Sequence, residues 1–189
     1  MKKGIAWLLC LALVLSITGA FAAEESFFAQ FADVEWSFSS GVGAWSNDLQ
    51  IRADGSFVGT YHDSEMGESG EGYPDGTVYC CSYTGQMTLV EQVDENTWKI
   101  RVEKLTVDEQ AEETVGNGVR FVKAEPYGLS ESDEMLLYRP DTPVSVLPEE
   151  MVFWAHVTEQ ENPPAALETW FLTSEKNESG FVGLTCLDM

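Results

Sequence analysis

The sequence predicts an all-β fold: a single antiparallel meander β-barrel of about eight strands, with one helix in the C-terminal half. Three observations carry this. Short stretches alternate apolar and polar residues with the period of two that marks half-buried strands. Turn signals punctuate them at regular spacing, and only one segment, after Pro148, has the composition of a helix. Such spacing argues for a sandwich or barrel and against an α/β order. Closure into a barrel removes the exposed edges that a strand-rich exported chain must otherwise protect.

Residues 1–22 read as a cleavable signal peptide, with basic Lys2 and Lys3, an apolar run over 5–17 and a small-x-small site at Ala20-Phe21-Ala22. The run is short for a membrane span of ~20 apolar residues, and no stop-transfer pattern follows. Cys10 leaves with the leader. The mature chain is expected to start near Ala23 and to form one domain over 23–189, large enough to bury a core without staples. Export makes it secreted, extracellular or associated with the cell envelope, with no stable membrane insertion after cleavage.

Leu49-Gln50-Ile51-Arg52 alternates, Asp54-Gly55 predicts a two-residue hairpin turn, and Phe57, Gly59 and Tyr61 share a face of the return strand. Over 78–90, Tyr79, Cys81, Tyr83, Met87 and Leu89 face one way. Cys80, Ser82, Thr84, Gln86 and Thr88 face the other, and Gly85 marks a bulge or bend. Asp94-Glu95-Asn96 turns the chain into the unbroken alternation of 98–103, which completes a four-stranded meander. The acidic stretch 107–118 reads as a loop. Strands are expected at 119–124 and 134–138, separated by the turn Glu125-Pro126-Tyr127-Gly128. Pro148 suits the first position of a helix over 148–157, Glu149 and Glu150 complement its positive end, and Met151, Phe153, Trp154 and Val157 are apolar. Pro163-Pro164 stops it, and strands at 167–173 and 180–186 close the chain.

This order resembles the lipocalin-like (calycin) proteins, in which a Gly-x-Trp opens the first strand, a meander forms the barrel and a helix precedes the final strand. Gly43-Ala44-Trp45 and the 148–157 helix fall in matching places. The disulfides and basic residue that close many classical lipocalins do not appear at recognisable positions. A second resemblance covers most of the mature chain. The strings Ser40-Gly41-Val42-Gly43-Ala44-Trp45, Tyr61-His62-Asp63-Ser64-Glu65-Met66-Gly67, Gly72-Tyr73-Pro74-Asp75-Gly76-Thr77, Glu125-Pro126-Tyr127-Gly128-Leu129 and Leu147-Pro148-Glu149-Glu150 are similar to those of a family of small exported or membrane-anchored bacterial proteins. That resemblance implies no activity.

The whole chain has 10 basic and 32 acidic residues and a formal charge of −22. Removing Lys2 and Lys3 with the leader takes −22 to −24. Such a surface repels nucleic acid and anionic lipid, so nucleic-acid partners are excluded. Cys80, Cys81 and Cys186 remain, an odd number. Adjacent strand residues face opposite ways, so at most one of Cys80 and Cys81 meets Cys186. Neither the Cys-Cys pair nor His62 and His156 fit a zinc-ligand spacing.

Two sets of residues are candidates for a site. Trp45, Phe57, Tyr61, Tyr79, Tyr83 and Trp98 share alternating strand faces, and several are expected to point into the barrel and to bind a small apolar or peptide ligand in it or at its mouth. Eight strands leave an interior just wide enough to be filled by side chains or to hold one small ligand. Asp63, Glu65, Glu68, Glu71 and Asp75 lie among the glycines of 61–77, and dense carboxylates on a permissive backbone suit Ca²⁺. They do not follow the EF-hand order, and a solvated acidic loop is the plainer reading. No other cofactor is indicated. No acid pair has the scaffold of a glycosidase, and no Ser or Cys lies in a nucleophile elbow near the two histidines. The sequence therefore points to a secreted, non-catalytic binding module for a small molecule. An extracellular surface or interaction protein with a filled core is the alternative, and a hydrolase is a distant third.

Overall fold

The computed structural model describes residues 27–157 and 162–185, so the leader, Cys10 and Cys186 lie outside the described residues. Its strands are β1 (Val34–Ser39), β2 (Trp45–Ile51), β3 (Ser56–Glu65), β4 (Thr77–Gln92), β5 (Thr97–Val107), β6 (Glu113–Gly116), β7 (Val119–Lys123), β8 (Glu134–Tyr138), β9 (Phe171–Ser174) and β10 (Ser179–Thr185). A helix, α1 (Glu149–Trp154), precedes β9. Eight strands close a ring in the order β1-β2-β3-β4-β5-β8-β9-β10, each antiparallel to its neighbours. The chain is thus an all-β meander barrel with one helix in its C-terminal half, an architecture consistent with a lipocalin-like barrel. The β6–β7 hairpin stands outside the ring, where β7 runs parallel to the start of β4 from Thr77↔Arg120 to Cys80↔Lys123.

Several elements differ from the sequence expectation. Gly43-Ala44-Trp45 opens the second strand, because Val34–Ser39 already forms β1. β6 lies within the stretch expected to be a loop, and the backbone turn explains it. Asn117 and Gly118 sit at φ 53° and 81°, the left-handed pair of a two-residue hairpin turn, so pairing rather than burial makes this strand. The β2–β3 turn holds three residues, not two. Gly55 N donates to Arg52 O at 2.9 Å and Arg52 N to Ser56 O at 2.8 Å, with Gly55 at φ 77°. Pro148 precedes α1 rather than opening it, and the helix ends at Ala155 because His156 turns left-handed at φ 54°.

Cross-strand register stacks the inward side chains in rows. Trp36↔Leu49, Leu49↔Gly59 and Gly59↔Tyr83 form one row, and Phe38↔Asn47, Asn47↔Tyr61 and Tyr61↔Cys81 the row above it. Trp45↔Asp63 and Asp63↔Tyr79 form the rim row. Side chains fill the interior, with Trp36, Phe38, Phe57, Tyr83, Met87, Ile100, Met135 and Phe181 all buried. Two glycines make the room. A Cβ on Gly59 falls 2.3 Å from the Tyr83 ring, and one on Gly85 falls 2.2 Å from the Phe57 ring. Phe27, Phe28 and Phe31 close the end of the barrel where β4 finishes, edge to face with one another and tilted against Trp98 and Trp170. On the outer face, Leu147, Met151 and Leu167 cover Tyr138 and Phe171.

Candidate functional site at the barrel mouth

The opposite end, where β4 begins, is closed by the segment 125–129 between β7 and β8. Leu129 drops into the core. Gly128 has φ +80°, and a Cβ there would lie 2.7 Å from the Phe38 ring, so only glycine fits. Two buried side chains hold the segment by its carbonyls. Asn47 Nδ2 donates to Tyr127 O at 2.7 Å, and Ser179 Oγ donates to Gly128 O at 2.6 Å. The Asn47 amide oxygen in turn accepts from the Tyr83 hydroxyl. A polar chain inside the apolar barrel thus fixes the backbone at the mouth.

The Tyr127 side chain stays outside, 48% exposed. Its ring stacks on Phe38 with centroids 5.6 Å apart and meets Trp45 edge-on at 5.4 Å. Trp154 of α1 supports both, 4.8 Å from Phe38 and 6.2 Å from Trp45. Beside Tyr127 lies a depression of about 430 Å³ lined by Tyr61, Asp63, Tyr79, Glu125, Tyr127 and Asn177 over the 126–129 backbone. The Tyr79 hydroxyl donates to Glu68 at 2.8 Å, and Arg120 binds the same carboxylate at 3.1 Å. Arg120 also donates to Thr77 Oγ1 at 3.0 Å and lies over the Tyr73 ring. The glycine-rich loop before β4 is therefore tied to β7. Burial first and Asp63 second push the Tyr61 phenol up to about 12, and burial first and Glu125 second push the Cys81 thiol up to about 11. Both groups are neutral at pH 7, and both feel the negative field of the rim.

No protein-family model, curated protein or solved structure matches the chain. Function is therefore read from the site itself.

Of the six aromatic residues singled out by alternation, Trp45, Tyr61 and Tyr79 reach the mouth. Phe57 and Tyr83 fill the core, and Trp98 packs at the far end, 5.7 Å from Phe27. They do not share one pocket because a common face is not a common depth. At ~3.3 Å per residue, Tyr83 lies ~13 Å along β4 from Tyr79. The five acidic residues proposed for calcium do not converge either. Asp63 faces the mouth, Glu68 is taken by Arg120 and Tyr79, and the Asp75 carboxylate lies against Gly118. Glu65 ends β3, and Glu71 is exposed. Among the described residues no three Asp, Glu, His or Cys side chains gather into an ion-binding set. Sequence reasoning read Glu125 and Tyr127 only as a turn. The available signal was an aromatic residue held between Pro126 and Gly128.

A larger depression, about 540 Å³, crosses the outer face of β1–β4. It is lined by short side chains such as Ser37, Thr60, Ser82 and Thr84, and its aromatic neighbours Trp36 and Tyr83 are buried in the interior. Its lining also carries the acids Glu35, Asp48 and Asp108 but no exposed ring, so the mouth, where rings and charges meet, is the better candidate.

Proposed function

We propose that the protein is a secreted, non-catalytic binding module that takes a small molecule or short peptide at the barrel mouth, against Tyr127, and not inside the barrel. The observation that carries this is the combination of a filled interior with an outward ring whose backbone is anchored from within. A ring already ordered by Phe38 and Trp45 loses little freedom when a ligand covers it, which favours affinity. The exported state rests on the leader, and the acidic surface suits a soluble exported protein.

Hydrolysis is less well supported. On the outer face, Ser46 Oγ donates to Asp48 at 2.6 Å and lies 3.2 Å from His62 Nδ1. The hydroxyl stands between carboxylate and imidazole, whereas a catalytic relay needs the imidazole between them. A second reading, a surface protein that docks another protein by this end, is favoured by Val42 and Phe153. They are 87% and 53% exposed on elements adjoining Trp45 and Trp154. A saturation-transfer NMR screen of small molecules and tripeptides against wild type and Tyr127→Ala separates the readings. Ligands that bind wild type and are lost in Tyr127→Ala support the module. A screen without Tyr127-dependent binders overturns it in favour of the surface protein.

A further inference from the structure

We infer that the mouth recognises an alkylammonium group, held between the faces of Tyr61, Tyr79 and Tyr127 and the carboxylates of Asp63 and Glu125. This rests on the mouth being the binding site. Three phenol rings line one depression, and both charged residues in its lining are acids. Two cations on adjoining elements are paired with acids, Arg120 with Glu68 at 3.1 Å and Lys123 with Glu112 at 3.5 Å, while Lys176, beside Asn177, donates to the Ser130 hydroxyl at 3.2 Å. An aromatic face carries negative potential, so a cation over it is attracted, more strongly where water is partly excluded. The two carboxylates add direct Coulomb attraction, and the charge of the whole protein steers cations toward it.

The same lining disfavours anions. Its one side-chain amide, Asn177 Nδ2, already donates to Asp133 at 2.5 Å and to Ser130 at 3.1 Å. The Tyr79 hydroxyl is committed to Glu68. The Tyr61 and Tyr127 hydroxyls remain as neutral donors, but Asp63 and Glu125 beside them put negative charge where an anion would have to sit. The volume of about 430 Å³ falls in the range of small-molecule sites and accommodates a trimethylammonium head or the end of a lysine side chain.

Isothermal titration calorimetry at ~0.15 M salt tests this with three probes: choline, its neutral isostere 3,3-dimethylbutan-1-ol, and the peptide Gly-Lys-Gly. Choline or Gly-Lys-Gly should bind at least about tenfold more tightly than the isostere. The tighter of the two then identifies the source as a free ammonium or a lysine side chain. Asp63→Asn and Glu125→Gln should each weaken the cation by about fivefold, and Tyr127→Ala by about tenfold, while Glu95→Gln in the β4–β5 turn at the far end leaves it unchanged. Equal affinity for the isostere, equal weakening by Glu95→Gln, or no binding of either cation overturns the inference. Neutral ligands that bind and are lost in Tyr127→Ala would leave the mouth as the site and remove only the ammonium group.

Discussion

Replacing Asn47 by alanine tests the link between the core and the mouth. Asn47 is fully buried on β2, donates to the Tyr127 carbonyl and accepts from the Tyr83 hydroxyl. Two separate losses follow from its removal. The Tyr83 hydroxyl, on a residue 1% exposed, is left with no water to replace its partner, a cost of about 1–3 kcal/mol for an orphaned buried group. The Tyr127 carbonyl belongs to a half-exposed residue and can turn to water, so its loss is nearer the net value of one hydrogen bond, about 1 kcal/mol. With the small void left by the amide, Asn47→Ala should lose roughly 3 kcal/mol. Urea unfolding at pH 7, followed by tryptophan fluorescence, measures it beside Tyr83→Phe and the double variant. Tyr83→Phe should cost about 1–2 kcal/mol. The double variant should lose less than the two single losses together, by about 1 kcal/mol, since the second substitution no longer orphans anything. A loss below about 1 kcal/mol for Asn47→Ala, or strict additivity in the cycle, refutes the reasoning.

Two further perturbations probe the barrel. Gly59→Ala puts a methyl group 2.3 Å from the Tyr83 ring, which is buried and pinned by Asn47, so it should cost about 1–3 kcal/mol in a thermal or urea melt. Gly116→Ala on the outer hairpin, with no atom within 4 Å of its new Cβ, should stay within about 0.5 kcal/mol, and equal effects would contradict the packing argument. Stability should also fall in alkali. The folded state holds the Cys81 thiol at about 11 against an ordinary 9.0, holds Tyr61 and Tyr138 at about 12 against 10.0, and pushes Tyr83 up as well, in each case chiefly by burial. The unfolded chain therefore releases these protons first. The stabilisation is complete below pH 9 and is lost progressively from there toward pH 12. A urea midpoint that stays flat from pH 8 to pH 11, or a Tyr138→Phe variant that falls as steeply as wild type above pH 10, would exclude this account.

How far the sequence reveals this arrangement depends on whether a feature is local. The β3–β4 hairpin is legible because alternation is enforced residue by residue. Tyr79, Cys81, Tyr83 and Met87 take the inner face, as their spacing predicts, even with register shifts at Gln86/Met87 and Leu89/Glu91. β1 is equally legible, since Val34, Trp36 and Phe38 alternate without a break. Taking Gly43-Ala44-Trp45 as the opening of the first strand hides it. β6 has no such pattern. Glu113-Thr114-Val115 is exposed and becomes a strand only because the Asn117-Gly118 turn brings it onto β7.

The mouth belongs to a third kind of feature, set by contacts between distant residues. Asn47 meets Tyr127 across 80 positions, and Ser179 meets Gly128 across 51. No window of sequence contains either pair. One local trace does exist. In Trp45-Ser46-Asn47-Asp48-Leu49, alternation puts an amide at an inward position between a tryptophan and a leucine, where an unpartnered polar group would be costly. A polar residue on the core face of a strand therefore announces that partners must reach it from elsewhere, and in a closed barrel those partners come from the interior or from whatever covers the end. Here they are Tyr83 from the interior and Tyr127 from the cover. The alternation that locates β2 thus also marks, by its interruption at Asn47, the level at which the chain folds over the barrel and exposes Tyr127.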